Sequence, residues 1–207
     1  MGCGAMRGIQ IRSCRKNRKG VQMIKNVYHE DKDSEQALFN ALYRLMIDIP
    51  IDKITISQIL EEAHVSRSGF YRRYKDKYDL LNSSYEKILE TTLFTFHTGN
   101  SWRESISQIY KVIGEHWKFF RNAFHSQDCN SLSNYIFYRT LRLEKEILRK
   151  NRVDPEKPEN EYRLIAYVSG GLAVTQQWVD DKAELPLEQL VDILTEIVPQ
   201  AFKAYFC

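Results

Sequence analysis

The sequence predicts an all-α protein, and two of its features carry that prediction. After residue 33, apolar residues recur at intervals of three and four, which places them on one face of a helix. Turn-forming residues at Pro50, at Gly99 and in residues 151–160 divide this pattern into helix-sized segments. No stretch alternates apolar and polar residues as a half-buried strand does. We therefore expect an N-terminal domain of three helices followed by a bundle of about six helices.

Composition sets the broad class of the protein. The chain has 207 residues, of which 43% are hydrophobic and 28% are charged, and these are ordinary values for a globular protein of one or two domains. No apolar run approaches the ~18 residues of a membrane span, so we expect a cytoplasmic protein without membrane contact. The scattered cysteines are typical of reduced thiols; they are Cys3, Cys14, Cys129 and Cys207.

The first helix is predicted to begin at Ser34 and Glu35. Its apolar side chains recur at helical spacing, at Ala37, Leu38, Ala41, Leu42, Leu45 and Met46. Pro50 cannot continue a helix, so the helix ends before it. We expect this helix to support the next two from behind.

Residues 53–81 predict two short helices, a tight turn between them and the start of another helix. Thr55 and Gln58 have the spacing of a capping box at the first of these helices. His64 occupies the turn, where a positive φ is commonly needed and where His is among the enriched non-glycine types. Ser66 can cap the second helix. This arrangement is typical of a DNA-reading element.

The order of residues in this stretch is specific; it includes Thr55, Ile56, Ile59, Ala63, Val65, Ser66, Phe70, Tyr71, Tyr74, Lys77 and Leu80. In that order the chain resembles the DNA-binding domain of the TetR family of bacterial transcription regulators, over residues 35–89. It departs from the family pattern at Leu60, His64, Gly69 and Arg73. The last two lie on the reading helix, so they bear on which operator sequence is recognised. The resemblance implies a sequence-specific DNA-binding protein. The alternative is a helix-turn-helix with a purely structural role.

The predicted DNA contacts surround the second short helix. Its donors suit phosphates and base edges, and Asp76 and Asp79 cap a further helix whose N-terminus can receive a phosphate. The contact set is Thr55, Ser66, Arg67, Ser68, Gly69, Tyr71, Arg72, Arg73, Lys75 and Lys77. In a dimer, two such helices would enter successive major grooves of a pseudo-palindromic operator in double-stranded DNA. We expect residues 26–80 to form this domain.

The N-terminal segment is basic. The net charge of the chain is +3, and no acidic residue precedes Glu30. Residues 1–25 show neither a helical nor a strand period, so we expect disorder. One interpretation is a basic arm that binds DNA. The other is that translation begins at Met23, so that residues 1–22 are not translated.

Residues 81–207 are predicted to bind a ligand and to dimerise. A connecting helix is expected from Lys77 to about His97, and one helix or two in residues 101–124. Aromatic residues are dense there and in the helix of residues 131–150, which indicates either a pocket for a small apolar or aromatic ligand or ordinary core. The candidate pocket residues are Trp117, Phe120, Phe124, Tyr135, Tyr138 and Trp178. The charged residues of 131–150, Glu144 among them, are interpreted as a solvated face.

The last two helices are expected in residues 161–180 and 186–206. The first is rich in small residues, and glycine within a helix costs about 1 kcal/mol relative to alanine, so we expect a close contact in compensation. Both carry excess apolar surface, which favours a four-helix seam between two subunits of a homodimer, as in the resembled family. The predicted seam is Ile165, Ser169, Gly170, Ala173, Leu190, Leu194 and Ile197. A monomeric bundle with closely packed neighbours is the alternative.

The sequence has no P-loop, dinucleotide fingerprint, HExxH or GxSxG motif, so we predict that the protein is not an enzyme and has no catalytic residues. His116, His125, Asp128 and Cys129 come nearest to a zinc cluster, but packing roles are favoured, and we predict no metal and no cofactor. An enzyme using His116 or His125 would need convergent titratable groups in a cleft.

The prediction for function is a dimeric transcription regulator, a repressor that a small ligand releases from its operator. The alternative is a regulator, including an activator, that depends on a protein partner. Its C-terminal domain would then be an interaction module without a small-molecule pocket. A closed apolar cavity would favour the first, and an exposed apolar patch outside the dimer seam would favour the second.

Overall fold

The computed structural model describes residues 33–206, apart from the side chains of Asp33, His97 and Thr98. Within this range the protein is all α, as predicted. The predictions for residues 1–25 lie outside the described residues. The helices are α1 Asp33–Met46, α2 Ile56–Ala63, α3 Arg67–Tyr71, α4 Lys77–Thr91, α5 Trp102–Glu115, α6 Trp117–Phe124, α7 Leu132–Lys150, α8 Pro158–Asp180, α9 Leu187–Glu196 and α10 Lys203–Phe206. Short 3-10 helices cover Ile51–Lys53, Leu93–Thr98 and Gln200–Phe202.

Helices α1 to α3 form the N-terminal domain around a small apolar core. Helix α1 packs on α2, and Leu42, Met46, Ile59 and Phe70 are fully buried between the three helices. The start of α4 completes this core with Leu80, which is also fully buried. The short helices α2 and α3 are too short to be stable alone, so this burial holds them in place.

Three helix limits differ from the predictions. The α-helical part of α4 ends at Thr91 and a 3-10 helix follows, whereas the prediction continued to about His97. Helix α8 begins at Pro158, since proline is well suited to the first helical turn. The predicted helix of residues 186–206 was wrong, because the α-helix ends at Glu196 and Pro199 interrupts it before α10.

The Trp178 side chain on α8 packs directly against Gly114 on α5. A Cβ atom added there would lie 2.7 Å from a ring carbon of Trp178, which is closer than van der Waals contact allows. The indole nitrogen of Trp178 donates to the Leu185 carbonyl at 2.9 Å, so the ring is fixed from both sides. A larger residue at position 114 would therefore displace the Trp178 ring.

The two domains are joined by buried polar contacts. The Tyr43 hydroxyl on α1 lies 2.8 Å from Nδ1 of His116 at the α5–α6 junction, and both side chains are buried. The Asn122 amide on α6 donates to the Met46 carbonyl at 2.8 Å. The residues that end α1 are thereby tied to α6. Within residues 33–206, no helix is both long and apolar enough to cross a membrane.

Candidate DNA-binding surface and ligand cavity

Local hydrogen bonds build the helix-turn-helix, as the sequence predicted. The backbone N–H of Gln58 donates to Thr55 Oγ1 at 3.2 Å, and the Thr55 N–H donates to Gln58 Oε1 at 2.8 Å, so the capping box is confirmed. His64 has φ of 54° in the left-handed region, and Ser66 Oγ accepts from the Gly69 N–H at 3.1 Å. These contacts fix the angle between α2 and α3.

The exposed face of α3 carries the predicted DNA contacts. Phe70 is fully buried and anchors the helix, whereas the next residue, Tyr71, has 48% of its surface exposed. Arg72 and Arg73 follow directly and are exposed, and Arg67 is held by a 3.1 Å hydrogen bond to Ser57 Oγ on α2. The other predicted contacts around this face are exposed or half-buried; they are Thr55, Ser66, Ser68, Gly69 and Lys75. The structure thus leaves these side chains on and around α3 open to solvent to differing degrees.

Lys77 has a structural role that the sequence did not reveal. Its ammonium donates to the carbonyls of Asp52 at 3.0 Å and Ile54 at 2.8 Å. Burial lowers the pKa of this ammonium, against the opposing effect of the nearby carboxylates. Two of its three N–H groups are therefore already engaged within the protein. The sequence analysis had considered Lys77 only as a contact to the DNA.

We expect Lys77→Ala to lower the free energy of unfolding by about 1–2 kcal/mol, because two carbonyls lose a charged donor. Urea denaturation of the purified variant would measure this loss. The control is Lys75→Ala, whose exposed side chain should matter by less than about 0.5 kcal/mol. Equal stability of the two variants would contradict the structural role of Lys77.

A polar cluster next to Lys77 connects the two domains and was missed by the sequence analysis. Asp52 Oδ1 accepts hydrogen bonds from the Tyr78 hydroxyl at 2.8 Å and from Ser126 Oγ at 2.5 Å. Burial opposes ionisation of Asp52, but these hydrogen bonds prevail and lower its pKa. Burial, and after it the hydrogen bond to Asp52, raise the pKa of Tyr78 to about 12. Asp52 is 26 positions from Tyr78 and 74 positions from Ser126, which explains why no sequence motif indicated the cluster.

The C-terminal domain contains an apolar cavity of about 90 Å³ between α4, α5, α7, α8 and α9. Its wall consists of Tyr85, Leu93, Trp102, Ile106, Ile109, Tyr110, Ile113, Phe124, Ile136, Thr140, Glu144, Tyr167, Val168, Gly171, Leu172, Thr175 and Leu194. Helix α5 supplies Trp102, Ile106, Ile109, Tyr110 and Ile113. Glu144 was wrongly assigned to a solvated face, since it is 1% exposed.

Of the six residues predicted for the pocket, only Phe124 lines this cavity. Phe120 is fully buried in the core beside it, and Trp117 is half-buried on α6. Tyr138 is 66% exposed. Tyr135 and Trp178 are held elsewhere, the first by a hydrogen bond to Glu86 and the second at Gly114. The aromatic density of residues 117–124 therefore mainly serves packing, including the contact of Phe119 with Tyr43 on α1.

Comparison with known proteins identifies the family. A family model described as "Bacterial regulatory proteins, tetR family" matches residues 38–83, and another, "Transcriptional regulator C-terminal region", matches residues 100–200. The chain belongs to the TetR family. TetR-family regulators are DNA-binding proteins and not enzymes, which agrees with the lack of catalytic motifs in the sequence.

Two individual proteins illustrate the likeness. The "Uncharacterized HTH-type transcriptional regulator YxbF" of Bacillus subtilis (strain 168) is 23% identical over 179 residues, which are 82% of this chain and 46% of that protein. The chain thus spans about half the length of this curated relative. The solved structure of "Dihydroxyacetone kinase operon activator DhaS" has a TM-score of 0.57 at 14% identity, covering 84% of this chain and 98% of that chain. The latter likeness shows a common fold.

The outer face of α8 and α9 is the surface where a TetR-family dimer seam was predicted. Ile165 and Ile197 are 38% and 41% exposed, and Ser169 and Ala173 are exposed on the same side of α8. A Cβ atom at Gly170 would meet no atom within 4 Å. These five residues form what we call the α8–α9 face.

Leu190 and Leu194 do not belong to this face. They are 0% and 3% exposed, because the protomer's own core buries them, so their assignment to the seam is corrected. Ile193, which the predicted seam did not include, is 39% exposed. The apolar residues of α9 cover a wide arc, and the sequence alone did not show which of them turn outward.

Proposed function

We propose that this TetR-family regulator is a repressor that binds a pseudo-palindromic operator as a dimer and leaves it when a small ligand occupies the cavity. Helix α4 carries the proposal. It begins at Lys77 beside the α3 surface and contributes Tyr85 to the cavity wall. Eight helical residues separate the two positions, a distance of about 12 Å. A displacement of one helix therefore reaches both sites.

The coupling requires that the ligand bind one arrangement of the protomer more tightly than the other. Helix α5 lines the cavity and ends at His116, which is bonded to Tyr43 in the DNA-binding domain. Movement of α4 and α5 would change the spacing of the two α3 helices of a dimer. A coupling free energy of about 1–3 kcal/mol is typical of such regulators. The cavity favours a small-molecule effector over the alternative of a protein partner.

Binding to the DNA upstream of the protein's own gene tests the proposal. Fluorescence anisotropy at two salt concentrations, with unrelated DNA as competitor, separates specific from non-specific binding. We expect Arg72→Ala to weaken specific binding about tenfold, the value of one lost contact. Arg149→Ala, an exposed arginine at the end of α7, is the control. Wild-type affinity in Arg72→Ala would contradict the assignment of α3 as the reading helix.

The dimer has a separate test. We expect Ile165→Glu to shift the protein from dimer to monomer, because it places an unpaired charge at the centre of the α8–α9 face. Tyr138→Glu is the control, since Tyr138 is a more exposed apolar residue on α7, outside the α8–α9 face. Sedimentation equilibrium measures the dissociation constant of both. A dimer that tolerates Ile165→Glu as well as Tyr138→Glu would place the seam elsewhere.

A further inference from the structure

Glu144 is the carboxylic acid in the described wall of the cavity, and one oxygen of its carboxyl group lacks a hydrogen-bond partner among the described residues. Its side chain is 1% exposed, and Oε2 has no hydrogen-bond partner among the described residues. A buried carboxyl oxygen without a donor is costly, at about 1–3 kcal/mol, so its presence calls for an explanation. We propose that the cavity binds a compact organic amine whose ammonium N–H donates to Glu144. This inference rests on the proposed function of the cavity as the effector site.

Four other polar side chains of the cavity wall already hold hydrogen bonds. The Tyr110 hydroxyl lies 2.5 Å from Thr175 Oγ1, which in turn donates to the Gly171 carbonyl at 2.7 Å. The Trp102 indole N–H donates to the Tyr167 hydroxyl at 3.2 Å. The Tyr85 and Thr140 hydroxyls also line the cavity, but each can donate as well as accept, whereas an ionised Glu144 carboxylate only accepts. A cationic donor would therefore be met best by Glu144. The ammonium group of the ligand would then point toward α7, which carries Glu144.

The charge of the cavity wall favours a cation. Its described lining includes Glu144 but no Lys, Arg or His, so the protein supplies no countercharge there. Burial raises the pKa of the Glu144 carboxyl well above its ordinary value, because the surrounding wall disfavours the charged form. A bound ammonium would oppose this effect, since an opposite charge beside a carboxyl favours its ionised form. An anionic ligand would find no cationic side chain in the described lining.

The rest of the wall fits the body of such a ligand. The rings of Tyr85, Trp102, Tyr110, Phe124 and Tyr167 line the cavity, and aromatic faces attract organic cations. The volume of about 90 Å³ restricts the occupant to a compact molecule. It is smaller than the ~150 Å³ of an engineered cavity that accepts benzene.

Butylamine, 1-butanol and butyrate test the proposal, because they share a short chain and differ in the head group. Their dissociation constants are measured by NMR titration of the full chain. We expect butylamine to bind at least about tenfold more tightly than either of the others. The isosteric variant Glu144→Gln should abolish this preference, whereas Glu146→Gln, an exposed residue on the same helix, should keep it. Equal binding of butylamine and 1-butanol, no binding of butylamine, or an unchanged preference in Glu144→Gln would overturn the inference.

The same titrations, repeated with operator DNA, separate this inference from the proposed function. Release of DNA by 1-butanol but not by butylamine would overturn the amine assignment and leave the effector site in place. Glu144-dependent binding of butylamine without any change in DNA affinity would support the amine site and overturn the proposed ligand response.

Discussion

Replacing Phe70 by alanine is expected to lower the free energy of unfolding by about 3–5 kcal/mol. Phe70 is fully buried, and its ring packs against Tyr74 at 5.7 Å between centroids. Helix α3 has only five residues, too few to be stable without tertiary contacts. The variant should therefore lose specific DNA binding as well, because the exposed arginines are no longer held in position.

Tyr71→Ala is the matched control for Phe70→Ala. The two residues are adjacent, but Tyr71 is 48% exposed, so its removal should change the unfolding free energy by less than about 0.5 kcal/mol. Its DNA affinity should nevertheless fall. Chemical denaturation and fluorescence anisotropy on both variants separate the two effects. If Phe70→Ala were as stable as Tyr71→Ala, the packing of α3 described above would be wrong.

The second large effect is a loss of stability in acid that depends on His116. Burial lowers the pKa of His116 from its ordinary value of 6.5 to about 4 in the folded protein. Between these values the unfolded chain takes up a proton that the folded chain does not, so stability falls as the pH falls from 6.5 to 4. A difference of this size corresponds to a loss of about 3 kcal/mol at the acid end.

The variant His116→Gln isolates this contribution, because glutamine does not titrate. The measurement is the unfolding free energy of wild type and variant in urea between pH 4 and pH 8, and the quantity of interest is the difference between the two profiles. We expect the wild type to lose about 3 kcal/mol more than the variant across the window. Parallel profiles would show that His116 is not held in its neutral form by burial.

The sequence predicted the features that depend on near neighbours. The capping box of Thr55 and Gln58, the positive φ of His64 and the cap at Ser66 are all confirmed. Each depends on contacts within a few residues or on a local apolar period. The interruption at Pro199 was missed, although proline lacks the N–H that a helix interior requires.

The residues that line the cavity and those of the α8–α9 face are set by tertiary packing, which the period of apolar residues in the sequence does not specify. Leu194 and Ile193 are adjacent apolar residues on one helix, yet Leu194 lines the cavity and Ile193 is exposed. Glu144 lies in a run of charged residues that resembles a solvated surface, and only the packing of α7 against α8 shows that it faces inward. Aromatic residues indicated a pocket, but most of those in residues 117–124 fill the core.

The close contact between Gly114 and Trp178 has a mechanical consequence. The Trp178 ring fills the space beside Gly114, so α5 cannot move toward it there without displacing the indole. If a ligand pushes on α5 where Ile106 and Tyr110 line the cavity, we expect the helix to tilt about this contact rather than to shift as a whole. The contact lies two residues before His116, so the short end of α5 carries the bond to Tyr43. A large displacement at the cavity would then become a small one at the DNA-binding domain.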